Sequence, residues 1–123
     1  MKFTALMPVH NQVKFKFLRK SLDSVMLSTL LPNEFLILID GPISKKKKLF
    51  LKNFLKNNNI IKLVFKKKLG LTKILNYGLK IAKYEIVARV DSDDVNDPSR
   101  FYKQIKFLRK NKVDIVGTGI FEI

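Results

Sequence analysis

The sequence contains no cysteine, which removes disulfides, thiolate metal sites and cysteine nucleophiles together and fits a reducing compartment. No apolar run approaches the roughly 20 residues that span a bilayer. The opening stretch from Met1 to Pro8 is interrupted by proline too soon to read as a signal peptide. Acid is scarce, with 10 Asp and Glu against 25 Lys and Arg, for a formal net charge of +15. Arginine is scarce as well: 21 of the 25 basic residues are lysine, and only Arg19, Arg89, Arg100 and Arg109 are arginine. A dedicated reader of nucleic acid would use more of the bidentate guanidinium, so no specific nucleic-acid partner is expected. The charge would still draw polyanions, anionic lipid or phosphorylated small molecules, with Lys45–Lys48 and Lys66–Lys68 as the two runs to follow. With 123 residues there is room for one core only, and 46% apolar with 28% charged residues is the balance of a chain that folds. The expectation is a single soluble intracellular domain over 1–123.

Apolar patterning alternates between strand and helix. Residues 3–9 read as a buried strand that ends at Pro8-Val9-His10-Asn11. From Lys14 to Ser28, Phe15, Leu18, Leu22, Val25 and Met26 share one helical face. Phe35 to Ile39 is a continuous apolar run stopped by Asp40-Gly41-Pro42, the mark of a strand covered on both faces. Ser44 can cap a helix running to about Lys56, and a third strand spans Ile60 to Phe65. The helix predicted over Leu71–Lys83 buries Leu71, Ile74, Leu75, Leu79 and Ala82, with Gly78 on the same face for close packing. A fourth strand spans Glu85–Val90. Asp97 as N-cap and Pro98 at the first turn start a helix to about Lys110, and Val113–Gly117 reads as a fifth strand.

Alternating strands and helices with continuous apolar strands imply an α/β fold, a Rossmann-like, mostly parallel sheet with helices on both faces. Ligands bind such sheets beyond the carboxyl ends of the strands. His10 and Asn11 follow the first strand, Asp40 the second, Lys66–Lys68 the third, and Asp91, Asp93 and Asp94 the fourth. Polar residues scattered in sequence should therefore meet on one rim. Asp91, Asp93, Asp94 and Asp97 fall within seven positions, a crowding that raises carboxylate pKa values unless a cation compensates. A hard divalent ion with one or two carboxylates and a substrate phosphate in its shell is the natural compensation.

The ordered motifs resemble family 2 glycosyltransferases of the GT-A fold, the bacterial surface-polysaccharide type, over the nucleotide-sugar-binding N-terminal half of that domain. The residues that carry the resemblance are Pro8-Val9-His10-Asn11, Ile39-Asp40-Gly41-Pro42, Gly70-Leu71-Thr72-Lys73-Ile74-Leu75-Asn76-Tyr77-Gly78-Leu79, Ala88-Arg89-Val90-Asp91-Ser92-Asp93-Asp94 with Asp97-Pro98-Ser99-Arg100, and Asp114-Ile115-Val116-Gly117-Thr118.

The resemblance implies that Pro8, Val9, His10 and Asn11 hold the base and ribose of a nucleotide-diphosphate sugar, usually a UDP-sugar. It implies that Asp40 hydrogen-bonds the base, that Asp91 contacts the ribose or metal region, with Ser92 in the same donor-binding turn, and that Asp93, with Asp91, ligates Mn²⁺ or Mg²⁺. His10 stands where the family has tyrosine, Lys68 where it often has asparagine, and Pro42 and Ile43 where it has small polar residues. The implied acceptor is a glycan or a lipid-linked glycan, which places the work in the cytoplasm at the inner face of the membrane, with peripheral association and homo-oligomerisation as further expectations. The family's acceptor-binding half and general base lie beyond residue 123, and Glu122 is the one acid after the fifth predicted strand, so the chain reads as catalytically incomplete alone. Two other readings stay open: a non-enzymatic nucleotide- or polyanion-binding α/β module, and a receiver-like phosphoacceptor, which would need its acidic pair after the first strand.

Overall fold

The computed structural model describes residues 1–56 and 58–117. Its elements run β1 (Phe3–Val9), α1 (Phe15–Met26), β2 (Glu34–Asp40), α2 (Lys45–Lys56), β3 (Ile61–Lys66), α3 (Leu71–Ile81), β4 (Ile86–Arg89) and α4 (Arg100–Asn111). The described strands form one four-stranded sheet in the order β3-β2-β1-β4, and every pairing is parallel. Two crossovers step outward from β1 through β2 to β3; the third returns past them to set β4 on the far side of β1. Right-handed crossovers put the outward and the returning helices on opposite faces.

The core follows that rule. Phe3, Ala5, Met7 and Val9 of β1 and Phe35, Ile37 and Ile39 of β2 pack with Leu18 and Leu22 of α1, Leu51 of α2, and Phe101 and Ile105 of α4. The alternate residues Leu6, Leu36 and Leu38 face Ile74 of α3. Both central strands are buried along their whole length, as continuous apolar runs require. Phe3 and Phe101 stack at 5.1 Å between ring centroids and tie α4 to β1. Ser44 does cap α2, its hydroxyl accepting the N–H of Lys47 at 3.3 Å. No helix among the described residues is long and apolar enough to cross a membrane.

Several expectations are corrected. Residues 113–117 form no strand: α4 ends, Lys112 turns into the left-handed region at φ 51°, and Ile115 is 89% exposed. Among the described residues this segment joins no strand of the sheet. Thr118 and Glu122 lie outside the described residues. The last helix begins at Arg100 rather than at Pro98, because Asp97 closes a turn of its own: its carboxylate accepts both the N–H and the hydroxyl of Ser99, at 2.8 and 2.6 Å, and its carbonyl accepts the Arg100 N–H. Leu71 and Leu79 are exposed, since α3 turns Ile74 and Gly78 to the sheet. As an edge strand of the sheet, β3 is only partly buried.

Candidate functional site

The carboxyl ends of the strands open into a cleft of about 440 Å³, lined by residues from the ends of β1, β2 and β4 and from the start of α3, within the size range of small-molecule sites. The rim position that the topology demands is the one between β1 and β4, where the chain reverses its direction of travel across the sheet.

Of the residues singled out in the sequence, Pro8, Val9, His10, Asp40, Asp91, Ser92 and Asp93 all line this cleft. Asn11 is not among its lining residues. Its side-chain oxygen accepts the Ser44 N–H at 2.8 Å and its carbonyl accepts a bond from the Lys47 ammonium, so Asn11 ties the β1 turn to the start of α2. His10 shapes the same turn, its Nδ1 accepting the Gln12 N–H at 3.2 Å. Gln12, Lys14 and Phe17 also line the cleft, as do Lys68, Gly70, Leu71 and Ile74. Sequence reasoning passed over Gln12, Lys14 and Phe17. Phe17 did leave a signal, for it stands off the stripe of Phe15, Leu18 and Leu22 and is 37% exposed.

Asp40 is buried at the end of β2, and both carboxylate oxygens are engaged: one accepts the Leu69 N–H at 2.6 Å, the other the Gly70 N–H at 3.1 Å. Gly70 has φ +91° and is the N-cap of α3 without a capping side chain of its own. Asp40 therefore supplies the anion that a helix amino terminus favours, reaching it from a different strand. The same clasp fixes Lys68, whose side chain packs at 3.4 Å from where a Cβ on Gly41 would stand.

The acidic turn after β4 is held as firmly. The Val90 N–H donates to the Leu6 carbonyl at 2.8 Å and the Ser21 hydroxyl of α1 donates to the Asp91 carbonyl at 2.8 Å. Farther along, the Asn96 N–H donates to the Ser24 hydroxyl oxygen at 2.9 Å, and the Thr29 N–H to the Pro98 carbonyl. Asp93 is exposed at the tip of the turn. Asp91 accepts a bond from the Arg89 guanidinium at 3.2 Å. Burial, and then the charges of Asp91 and Asp93, push the Asp94 carboxyl above its usual range, with Arg100 acting against them. Burial draws the Arg100 guanidinium below the usual arginine range, while Asp91 and Asp94 partly restore it. Arg100 is anchored behind the turn by the Arg89 carbonyl at 2.7 Å and by Asn96.

The lining of the cleft thus carries both signs of charge, Lys14 and Lys68 together with Asp40, Asp91 and Asp93. No group of three or more His, Asp or Glu side chains able to hold a metal occurs among the described residues. An exposed carboxylate beside a second one, with crowded negative charge around them, fits a hard cation that takes most of its ligands from phosphate and water. It does not fit a cation that demands a closed protein shell.

Comparison with known proteins agrees with this geometry. The family glycosyl transferase family 2 matches residues 4–123. The chain is 32% identical over 121 residues to the amylovoran biosynthesis glycosyltransferase AmsE of Erwinia amylovora, covering 98% of this chain and 46% of that protein. It is 32% identical over 122 residues to an Escherichia coli UDP-Gal:alpha-D-GlcNAc-diphosphoundecaprenol beta-1,3-galactosyltransferase, covering 98% of this chain and 44% of that enzyme. The chain therefore spans less than half the length of these relatives. Among solved structures, residues 1–349 of Staphylococcus aureus TarS in complex with UDP-GlcNAc superpose with a TM-score of 0.76 at 24% identity, over 99% of this chain and 37% of that one. The mannosyltransferase PcManGT from Pyrobaculum calidifontis, in complex with GDP-Man and Mn²⁺, superposes with a TM-score of 0.70 at 18% identity, over 87% of this chain and 32% of its own. Those two likenesses establish the fold.

Proposed function

The chain belongs to glycosyl transferase family 2, and from that premise we propose that its rim cleft binds the nucleotide diphosphate of a sugar donor, UDP in the first instance, together with a divalent cation. The observation that carries the reading is the convergence of His10, Asp40, Asp91, Ser92 and Asp93 on one cleft from three strands separated in sequence. TarS with UDP-GlcNAc and an E. coli relative that uses UDP-Gal support uridine, and PcManGT with Mn²⁺ supports the cation.

Each sign of charge has a part in this reading. Asp93, with Asp91 beside it, would hold the cation, Mn²⁺ or Mg²⁺. When bound, the ion supplies Lewis-acid stabilisation of the charge that develops on the departing diphosphate. Lys14 and Lys68 face the same diphosphate with fixed positive charge. Pro8, Val9 and the His10 ring form the wall for base and ribose, while Asp40 holds the amino end of α3 in place and turns toward the base what acceptor capacity it keeps. Ser21 and Ser24 of α1, with Thr29 in the loop after it, keep the acidic turn from rearranging as charge moves. The acceptor class, a lipid-linked glycan, is supported by the diphosphoundecaprenol substrate named for the E. coli relative. Transfer also requires a base within reach of the acceptor hydroxyl. Asp91, Asp93 and Asp94 are committed to the donor side in this reading.

Isothermal calorimetry with UDP tests the proposal. Binding should require Mn²⁺, and Asp93→Ala should weaken it by at least about tenfold, some 1.4 kcal/mol. Binding that ignores the metal, accepts any polyanion and vanishes with added salt would instead favour the polyanion module, which the net charge of +15 makes the one serious alternative.

A further inference from the structure

The turn between β4 and α4 crowds Asp91, Asp93 and Asp94 together, and like charges so close favour spreading apart. Against that tendency stands a closed circuit of hydrogen bonds drawn from β4, α1 and α4. The Ser21 hydroxyl donates to the Asp91 carbonyl at 2.8 Å, and the Ser24 hydroxyl to the Ser21 carbonyl at 2.7 Å. The Asn96 side-chain amide donates in turn to the Ser24 oxygen at 3.3 Å, beside its own backbone N–H at 2.9 Å. One guanidinium nitrogen of Arg100 donates to the Asn96 side-chain oxygen and another to the Arg89 carbonyl at 2.7 Å. The Arg89 guanidinium then returns to the Asp91 carboxylate at 3.2 Å, which closes the path. Gln104 steadies Arg100 from outside, accepting its Nε–H at 3.1 Å. Ser21, Ser24 and Asn96 are all buried, and the two serines share the inward side of α1 with Leu18, Leu22 and Val25, where apolar residues would leave no polar group to satisfy. Among the described residues no buried side-chain nitrogen or oxygen lacks a partner. A buried polar network that is fully bonded specifies one arrangement, and what this one arranges is the acidic turn.

We infer that Asn96 and Arg100 are positioning residues for the cation: by closing this circuit they hold Asp91 and Asp93 at a fixed separation before any ion arrives. Neither residue lines the cleft, so each acts through the aspartates. Arg100 spans the two ends of the turn, at Arg89 and at Asn96, which takes the planar fork of a guanidinium rather than the single point of an ammonium. Its charge works the other way. Arg100 interacts electrostatically with Asp91 and Asp94, and a fixed positive charge there opposes the arrival of a second one. The two effects differ in sign: positioning raises the affinity of the turn for a divalent ion, and bare charge lowers it. The inference rests on the proposed donor and cation, which say what the circuit is for.

Calorimetry with UDP and Mn²⁺, run beside amide hydrogen exchange, tests it. Arg100→Gln should bind UDP with Mn²⁺ about ten- to a hundredfold more weakly than the parent. Arg100→Lys, which keeps the charge and loses the fork, should lose nearly as much. Asn96→Ala should behave alike, and joining it to Arg100→Gln should add little to either, because one break opens the whole circuit. In each variant the amides of residues 91–96 should exchange faster than in the parent, while those of Ile37 and Ile39 in β2 stay protected and report an intact fold. If Asn96→Ala, which empties a buried position, also lowers protection in β2, the two Arg100 variants decide alone. Unchanged or tighter Mn²⁺-dependent binding in Arg100→Gln, parental affinity in Arg100→Lys, or turn amides that exchange at the parental rate would each overturn the inference. A parent chain that binds no UDP with Mn²⁺ would count against the donor reading, and the exchange rates of the turn would then decide on the circuit.

Discussion

Glu34 and Asp40 stand at the two ends of β2, and both straps they make reach α3. At the far end Glu34 accepts the Lys83 N–H at 2.8 Å and the Thr4 hydroxyl at 2.9 Å on one oxygen, and pairs with Lys62 at 3.1 Å through the other. At the cleft end Asp40 accepts Leu69 and Gly70. One strand thus brackets one helix with two buried carboxylates. Burial pushes the Glu34 carboxyl up, but the Lys83 N–H, the Lys62 bond and charge, and the Thr4 hydroxyl outweigh it and leave the group below its ordinary value of 4.5. A lowered native pKa stabilises the fold above the unfolded value and loses that contribution as pH falls through the native one. Glu34→Gln should therefore be about 1–2 kcal/mol less stable than the parent at pH 7. Urea unfolding across pH should show the gap closing below 4.5; a gap that stays constant down to low pH would show that the charge of Glu34 contributes nothing. Asp40 was visible in the sequence as the acid that stops a strand, but its bonds to Leu69 and Gly70 were not. Backbone N–H partners leave no trace in residue type.

Among the elements, α3 depends on close approach to the sheet. A Cβ at Gly78 would lie 2.6 Å from the Leu38 Cδ1 and 3.2 Å from a Leu6 methyl. Both leucines are buried on the face that only α3 covers among the described residues. Gly78→Val should lower stability by about 1–3 kcal/mol through overpacking, read as an earlier urea midpoint at unchanged slope; a later midpoint would show that the helix can shift outward freely. The glycine was legible because it interrupts a leucine stripe at helical spacing. The burial of Leu71 and Leu79 was misread for a related reason: periodicity marks an apolar face but not how wide a strip of it the sheet takes. Strands β1 and β2 were plain from continuous apolar runs, whereas Val113–Gly117 shares their β-branched residues but is interrupted by Asp114 and joins no strand among the described residues. The start of α4 was misplaced because Asp97 serves equally well as a helix cap and as the hinge of a separate turn, and Ser99 decides between them.

At the scale of the whole molecule, the strand order β3-β2-β1-β4 turns three distant loops into one rim. The alternation of elements in the sequence already implies that rim, since topology follows from handed crossovers. The lining by Gln12 and Lys14 was not legible, because the path of the β1 turn depends on Asn11 reaching Ser44 across 33 positions. The donor site is tested most directly by amide NMR spectra recorded as Mn²⁺ is added in the presence of UDP. The paramagnetic ion should first broaden the amides of Ser92, Asp93 and Asp94 and then those of His10 and Gly70 across the cleft, while Glu34, Ile60 and Lys62 at the opposite edge keep their line widths. Broadening centred on Glu34, or spread evenly over the surface, would contradict a cation and nucleotide held together at the carboxyl ends of β1 and β4.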